Sequence, residues 1–413
     1  MNFLQFAVWG AYLTSMGNYL GSIGLGAEIG FFYAMQGIVS IFMPAFLGIV
    51  ADRWVPAQRL LGFSHGVTAI FIFAAGYYGM IAGNDAHFPI LFLFYSISVA
   101  FYMPTIALSN SVAYNVLVRF NYDTIKAFPP IRTFGTIGFI CAMLFVDFTE
   151  FQNNYLQFYV SAVLGIVLFL YAFSLPDCPV SKTGEKKTLT DALGLKAFSL
   201  FKDKKMAIFF VFSMFLGVSL QITNGYANPY ITGFKEIPGY VSTWGANHAN
   251  ALISLSQMSE TLCILLIPFF LKRFGIKKVM LMSMFAWFLR FALFGVGNPG
   301  AGVWMFVSSM IVYGIAFDFF NVSGSLFVDK ETDKSIRSSA QGVFMMMTNG
   351  FGATIGMLAA GQIVNHFVYS RTDPVAQLEG WRTSWYIFSG YALIVALSFA
   401  VIFKYKHVSE KKL

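Results

Sequence analysis

The sequence predicts an all-α membrane protein with twelve transmembrane helices in two six-helix bundles. The 413 residues are 57% hydrophobic and 11% charged, whereas soluble proteins average about 45–50% apolar and about 25% charged residues. Long apolar stretches recur along the whole chain, and Lys and Arg are concentrated in alternate connections between them. These observations exclude a water-soluble globule, because too few charged side chains are available to cover its surface.

The predicted spans are apolar stretches that end at charged residues or at Pro and Gly. At about 20 residues per crossing, twelve of them use roughly 240 residues and leave the rest for connections and ends. The spans are predicted near residues 3–22, 29–50, 60–82, 88–114, 131–149, 156–175, 207–231, 247–271, 278–297, 302–328, 338–366 and 383–404.

The basic residues predict the orientation of these spans. Nearly all Lys and Arg fall on one side of the membrane, and the connections on the other side contain only Lys235, Arg371 and Arg382. Lys and Arg accumulate in cytoplasmic loops, so we expect an even number of spans with both termini in the cytoplasm. The net charge of +8 is then a consequence of topology and does not indicate a nucleic-acid partner.

The longest polar connection, from Leu175 to Met206, divides the chain into two sets of six spans. Within it, Leu189 to Phe201 is amphipathic enough to lie along the membrane interface, and a disordered tether is the alternative. The predicted organisation is an N-terminal bundle, a cytoplasmic linker, and a C-terminal bundle with a short cytoplasmic tail, over residues 1–175, 176–206 and 207–413.

A short internal repeat supports two related halves. Pro44-Ala-Phe-Leu ends the second span, and Pro268-Phe-Phe-Leu ends the eighth. Such an echo is expected if two six-helix halves are related by an axis along the membrane normal. The segment Gly48-Ile-Val-Ala-Asp52-Arg53, between spans two and three, resembles the cytoplasmic loop signature of the major facilitator superfamily, whose fold has this six-plus-six plan.

Four groups of polar and aromatic side chains lie inside the predicted spans. A charge at mid-membrane costs at least about 2.5–3.5 kcal/mol on insertion scales, so such residues normally face protein or a water-filled cavity. Pro129 and Pro130 are predicted to occupy the first turn of the fifth span. The four groups are Arg132, Thr136 and Phe139 on span five, Gln221, Asn224 and Asn228 on span seven, Gln257 and Glu260 on span eight, and Tyr313, Phe317, Asp318 and Asn321 on span ten.

A site built from these residues suits a neutral, polar, planar solute. In a six-plus-six fold, spans one, four, seven and ten line the central cavity and spans two, five, eight and eleven flank it. Amides satisfy the donors and acceptors of a base, carboxylates accept hydrogen bonds from hydroxyls, and Phe139 can stack. A phosphorylated solute would need two or more basic groups, whereas Arg132 is the one basic group placed for this role.

Some intramembrane polar residues have structural interpretations. Asn228 and Asn321 are as easily explained by hydrogen bonds between helices. Arg290 is assigned a structural role, either reaching to the interface or pairing with a helix end.

The sequence contains no ATP-binding motif and no metal-ligand spacing, so no cofactor or metal is predicted and the chain is not expected to be an enzyme.

Longer segments resemble the bacterial nucleoside:proton symporter family of the major facilitator superfamily. The segments are 128–139, 220–224, 256–261, 313–321 and 340–352, together with 2–6 and 403–407. The resemblance implies proton-driven uptake of purine and pyrimidine nucleosides. Its substrate-site positions match Arg132, Thr136, Phe139, Gln221, Asn224, Gln257, Glu260, Tyr313, Phe317 and Asp318. Residues 225–229 depart from the family pattern, which leaves the base preference open.

We therefore expect a monomer in the bacterial cytoplasmic (inner) membrane, with lipid and nucleoside as partners, that works by alternating access. Coupling requires a group whose protonation changes during the cycle. Asp318 is the expected proton carrier and Glu260 mainly acts as an acceptor of hydrogen bonds from hydroxyl groups, although the sequence also allows the reverse.

Two alternative functions remain open from the sequence. One is a symporter for a sugar or other polyol, because carboxylates and amides also suit hydroxyl-rich solutes. The other is a receptor that binds a solute without transporting it.

Overall fold

In the computed structural model, residues 1–178, 195–333 and 336–405 are described, and their regular secondary structure is entirely helical. The chain divides into two compact units, Met1–Leu193 and Gly194–Leu413. The helical content follows from the apolar composition, since a helix satisfies all its backbone hydrogen bonds internally and can cross hydrocarbon.

The α-helices of the N-terminal unit follow the predicted spans with two changes. The first predicted span is two short helices separated by a turn at residues 11–15, and the fifth begins earlier than expected. The helices are α1 (Asn2–Gly10), α2 (Met16–Ser22), α3 (Ile29–Arg53), α4 (Ala57–Ala82), α5 (Phe88–Arg119), α6 (Thr124–Phe148) and α7 (Leu156–Ala172).

The C-terminal unit also contains interrupted spans. The main α-helices are α8 (Lys204–Leu220), α9 (Ile222–Gly233), α10 (Ala249–Phe274), α11 (Ile276–Val296), α12 (Val303–Glu331), α13 (Arg337–Met345), α14 (Ala353–Val364) and α15 (Pro374–Ile402). Two π-helical segments, Met346–Gly352 and Asn365–Tyr369, continue the eleventh predicted span. Single π-helical turns occur frequently at functional sites.

Ten helical stretches in the described chain are long and apolar enough to cross a membrane, when α8 with α9 is counted as one stretch, Lys204–Glu236, and α13 with α14 as another, Ser339–Tyr369. The first predicted span does not qualify because the turn at residues 11–15 separates it into two helices of nine and seven residues. The sixth does not because α7 has only 17 residues, which at 1.5 Å per residue is somewhat less than the ~30 Å of a bilayer core. The count of twelve spans therefore stays a prediction.

The prolines of α6 lie inside the helix, which corrects the expectation that they occupy its first turn. The helix begins at Thr124, about one and a half turns before Pro129 and Pro130. Proline removes a backbone donor inside a helix, and transmembrane helices tolerate this when neighbouring groups satisfy the freed carbonyls. The carbonyls that lose a donor are those of residues 125 and 126, four residues before each proline, and they lie in the first turn of α6, so the break in the hydrogen-bond ladder affects only the start of the helix.

The described end of the predicted linker is a 3₁₀-helix, Leu195–Lys202. Residues 189–194 of the segment expected at the interface lie outside the described residues. After the linker, Asp203 caps α8, because its carboxylate accepts a hydrogen bond from the Met206 backbone N–H at 2.9 Å. Such an N-cap satisfies a helix-start donor that otherwise lacks a partner.

Large apolar side chains project outward from both units. Ile70 in α4 is 65% exposed, and Leu265 in α10 is 75% exposed. A soluble monomer rarely exposes so much apolar surface, whereas helices that face lipid require it. The exposed side chains therefore fit a membrane environment for both units.

Candidate functional site

The N-terminal group of candidate residues lies on α6. The Arg132 guanidinium sits over the Phe6 ring, with its central carbon 4.2 Å from the ring centroid. Arg132 and Thr136 are half-buried, and Phe139 is only 6% exposed. A cation over a ring face is attracted by the ring quadrupole, so α1 contributes the surface against which Arg132 is held.

Two glycines explain how closely α1 approaches these residues. A Cβ at Gly10 would lie 2.4 Å from the Phe139 carbonyl oxygen, and a Cβ at Gly138 would lie 2.1 Å from the Phe3 carbonyl oxygen. Any larger side chain at either position would force the helices apart. The close approach places Trp9 edge-to-face against Phe139, with ring centroids 6.1 Å apart.

A buried polar network behind this group was not predicted from the sequence. The Gln5 amide donates to the Thr105 hydroxyl at 2.7 Å, and its oxygen lies 2.7 Å from His65 Nε2. The Tyr102 hydroxyl donates to the Gln5 backbone carbonyl at 2.8 Å. The network fixes the residue before Phe6 in α1. An isolated histidine within an apolar stretch was the signal that could have identified it.

The C-terminal group is organised by α12. Tyr313 and Phe317, one helical turn apart, stack with ring centroids 5.6 Å apart and planes inclined by 15°. The Tyr313 hydroxyl is in hydrogen-bonding reach of Gln257, and the Glu260 and Asp318 carboxyl groups lie within electrostatic range of it. Asp318 is 5% exposed, whereas Glu260 is half-buried. Five of the predicted residues therefore form one cluster on α10 and α12.

Direct contact between α10 and α12 creates this cluster. A Cβ at Gly314 would lie 2.6 Å from the Ser259 carbonyl oxygen and 2.7 Å from Cys263 Sγ. The Ser259 hydroxyl donates to the Ile311 carbonyl across the same contact. Because Glu260 follows Ser259 and Tyr313 precedes Gly314, the contact sets the distance between their side chains.

The amides of the seventh predicted span separate into two roles. Gln221 lies at the break between α8 and α9, and Asn224 Nδ2 donates to Gln221 Oε1 at 2.9 Å. Both side chains are half-buried. Asn228 is buried and donates to Asn250 Oδ1 at 2.9 Å, which favours the interpretation that it connects α9 to α10.

Comparison with known proteins identifies the family. A family model described as nucleoside H⁺ symporter matches residues 1–408. The chain belongs to the nucleoside H⁺ symporter family. The family assignment made from sequence motifs is therefore confirmed, and membership in a family of symporters also confirms the prediction of a transporter rather than an enzyme.

Relatives of this nucleoside H⁺ symporter cover nearly its whole length. Nucleoside permease NupG of Escherichia coli (strain K12) is 46% identical over 99% of this chain and 95% of its own length. Xanthosine permease of the same organism is 45% identical over 100% and 96% of the two chains. A crystal structure of the nucleoside transporter NupG matches with a TM-score of 0.89 at 45% identity, covering 98% of each chain. The symporter thus has the all-helical fold of the major facilitator superfamily.

Arg290 of the symporter differs from its sequence-based interpretation. It neither reaches the interface nor pairs with a helix end, because it is 1% exposed near the middle of the C-terminal half of α11. Its guanidinium carbon lies 4.5 Å from the centroid of the Tyr313 ring. Arg290 therefore contacts a predicted site residue, which its position in the sequence alone did not indicate.

Proposed function

We propose that this symporter transports purine and pyrimidine nucleosides into the cell together with protons, by alternating access. The observation that carries the proposal is the cluster of Gln257, Glu260, Tyr313, Phe317 and Asp318 within membrane-length helices of a nucleoside H⁺ symporter. Intramembrane carboxylates are costly and normally mark substrate or proton pathways.

The proposed binding roles follow from the chemistry of each side chain. Gln221, Asn224 and Gln257 offer both donors and acceptors, which suits the polar edges of different bases. Phe139, Tyr313 and Phe317 offer aromatic surface for the base. Arg132 and Thr136 are proposed to bind polar atoms of the nucleoside, and Glu260 to accept hydrogen bonds from ribose hydroxyls. Both groups are thus proposed to take part in nucleoside binding.

Asp318 is proposed as the main proton carrier, with Glu260 as the second candidate. A carboxyl group can change its protonation during a transport cycle when its exposure to water changes. The deeper burial of Asp318 supports this choice over half-buried Glu260. One proton moving down 100 mV supplies about 2.3 kcal/mol, which corresponds to roughly 50-fold accumulation of a neutral solute.

The proposed cellular setting is the bacterial cytoplasmic membrane. The proposal also includes twelve spans with both termini in the cytoplasm, a monomeric protein, and the proton as the only coupling ion. The distribution of Lys and Arg along the sequence and the membership in the symporter family support this setting. Residues 1–175 and 207–413 are proposed as the two halves that move during transport.

Uptake of labelled uridine into membrane vesicles tests the function. The wild type should accumulate uridine when a proton gradient is imposed, and Asp318→Asn should abolish accumulation because an amide cannot carry the proton. Asp85→Asn, a matched change in an exposed connection, should transport normally. Undiminished accumulation by Asp318→Asn would remove the coupling assignment.

Competition and exchange distinguish the alternatives. Excess adenosine should block uridine uptake, whereas excess ribose should not. Inhibition by ribose alone would instead indicate a sugar symporter. Proteoliposomes preloaded with unlabelled uridine should show counterflow of labelled uridine, and its absence, with binding intact, would indicate a receptor that does not transport.

A further inference from the structure

Arg290 is a buried cation, and its hydrogen-bond partners among the described residues are neutral groups. Its Nη1 donates to the Ser309 carbonyl at 2.7 Å and reaches the Ser256 hydroxyl at 3.4 Å. Its Nε is buried without a hydrogen-bond partner. The Ser309 hydroxyl returns a hydrogen bond of 3.0 Å to the Arg290 carbonyl. The side chain is therefore held in one place by α12.

Stability alone does not explain an arginine at this position. Burying a charge costs several kcal/mol even after relaxation, and a well-packed apolar side chain is often as stable as a buried ionic group. A hydrogen bond to a carbonyl oxygen and a weak one to a hydroxyl offset only part of that cost. The charge is therefore expected to serve a purpose outside folding.

The contacts of the Tyr313 ring indicate that purpose. Arg290 lies over the ring, with its guanidinium carbon 4.5 Å from the centroid. Trp287, one turn earlier in α11, meets the same ring at 90° with centroids 6.0 Å apart. Phe317 stacks on it from the next turn of α12. A cation–π contact removed from water contributes about 2 kcal/mol or more, so Arg290 is a substantial restraint on this ring.

We propose that Arg290 is a positioning residue that fixes the Tyr313–Phe317 aromatic pair in the orientation that receives the base of a nucleoside. This inference rests on the proposed function. Because Arg290 acts on the rings and not on the solute, its loss should weaken the binding of purine and pyrimidine nucleosides alike. It should leave the overall fold intact.

The test measures the dissociation constants of uridine and adenosine with purified full-length protein. Arg290→Met should raise both constants roughly tenfold, as expected from losing most of one desolvated cation–π contact, with the melting temperature unchanged or higher. Arg290→Lys should bind within about threefold of the wild type, because the ammonium group retains the cation–π attraction.

Two further variants distinguish positioning of the Tyr313 ring from a general effect of removing an arginine. Arg273→Met removes another guanidinium that lies over a phenyl ring, that of Phe274, at the end of α10 and should leave both constants unchanged. In a Tyr313→Ala background, Arg290→Met should have no additional effect, because the ring that Arg290 restrains is gone.

The outcomes separate this inference from the proposed function. If the wild type binds neither uridine nor adenosine, the proposed function is overturned. If the wild type binds both nucleosides and folded Arg290→Met binds them equally well, only the positioning role is overturned. The same conclusion follows if the loss of affinity caused by Arg290→Met adds fully to the loss caused by Tyr313→Ala. Should Arg290→Met fail to fold, Arg290→Lys decides: a folded Lys variant that binds as weakly as Tyr313→Ala contradicts the proposal.

Discussion

Two phenyl rings among the proposed binding residues have different surroundings. Phe139 is 6% exposed and packs against Trp9, whereas Phe317 is half-buried beside Tyr313. Stacking of a base on an aromatic ring contributes about 1–3 kcal/mol, and loss of a half-buried ring opens little cavity. Phe317→Ala should therefore weaken binding of all nucleosides by about 5- to 150-fold without lowering the melting temperature, as ligand titration and thermal unfolding would measure.

Replacing Phe139 by alanine should lower both the affinity for nucleosides and the melting temperature. Phe139→Ala is expected to weaken the binding of every base, since stacking tolerates base identity, and also to destabilise the N-terminal unit by about 3–5 kcal/mol because it opens a cavity beside Trp9. Trp9→Phe serves as a control that keeps an aromatic edge there. Unchanged affinities with a lower melting temperature would show that Phe139 has a packing role only.

At the scale of whole helices, the contact between α10 and α12 sets the geometry of the carboxyl cluster. Gly314→Ala places a methyl group 2.6 Å from the Ser259 carbonyl, and backbone on both sides must move to accommodate it. We expect a lower melting temperature and reduced uridine uptake, because Tyr313 is displaced from Gln257 and Glu260.

Gly390→Ala is the matched control for that change. Gly390 also lies inside a helix, α15, and a Cβ there would meet nothing within 4 Å. Alanine favours helix over glycine by up to about 1 kcal/mol, so this variant should be as stable as the wild type or more so. Normal uptake and stability of Gly314→Ala would show that α10 and α12 separate without cost.

The topology of the whole molecule is testable by labelling single cysteines. Glu236 and Lys272 are both exposed and lie before and at the end of α10, respectively. In a background where Cys141, Cys178 and Cys263 are replaced by serine, an impermeant maleimide should label Glu236→Cys in intact cells. It should label Lys272→Cys only in inverted vesicles, because basic connections remain in the cytoplasm.

Equal labelling of both cysteines from one side would contradict the proposed orientation. It would place both ends of α10 in the same compartment, which is incompatible with that helix crossing the bilayer. A tag fused after Leu413 gives an independent readout, since a cytoplasmic C-terminus is digested only in inverted vesicles.

Much of the helical organisation was predictable from composition. Apolar stretches of bilayer length identified the positions of the long helices, because hydrocarbon allows few alternatives to a helix. Interruptions were not predictable: the turn between α1 and α2, the break at Gln221, and the π-helical segment Met346–Gly352 all lie within stretches that hydropathy assigns to a single span. Local breaks of this kind depend on neighbouring helices, which a hydropathy pattern does not contain.

The sequence by itself determined the class of protein, the family, and which polar side chains lie on helices long enough to span a membrane, because the cost of burying polar groups in hydrocarbon depends on residue type and position along a span. The tertiary structure alone decided which of them meet. Helical spacing places Tyr313 and Phe317 on one face of α12, but only the packing of α11 against α12 brings Arg290 over the Tyr313 ring. Spacing within one helix is local, whereas the partner of a side chain on another helix is set by how the two surfaces fit together.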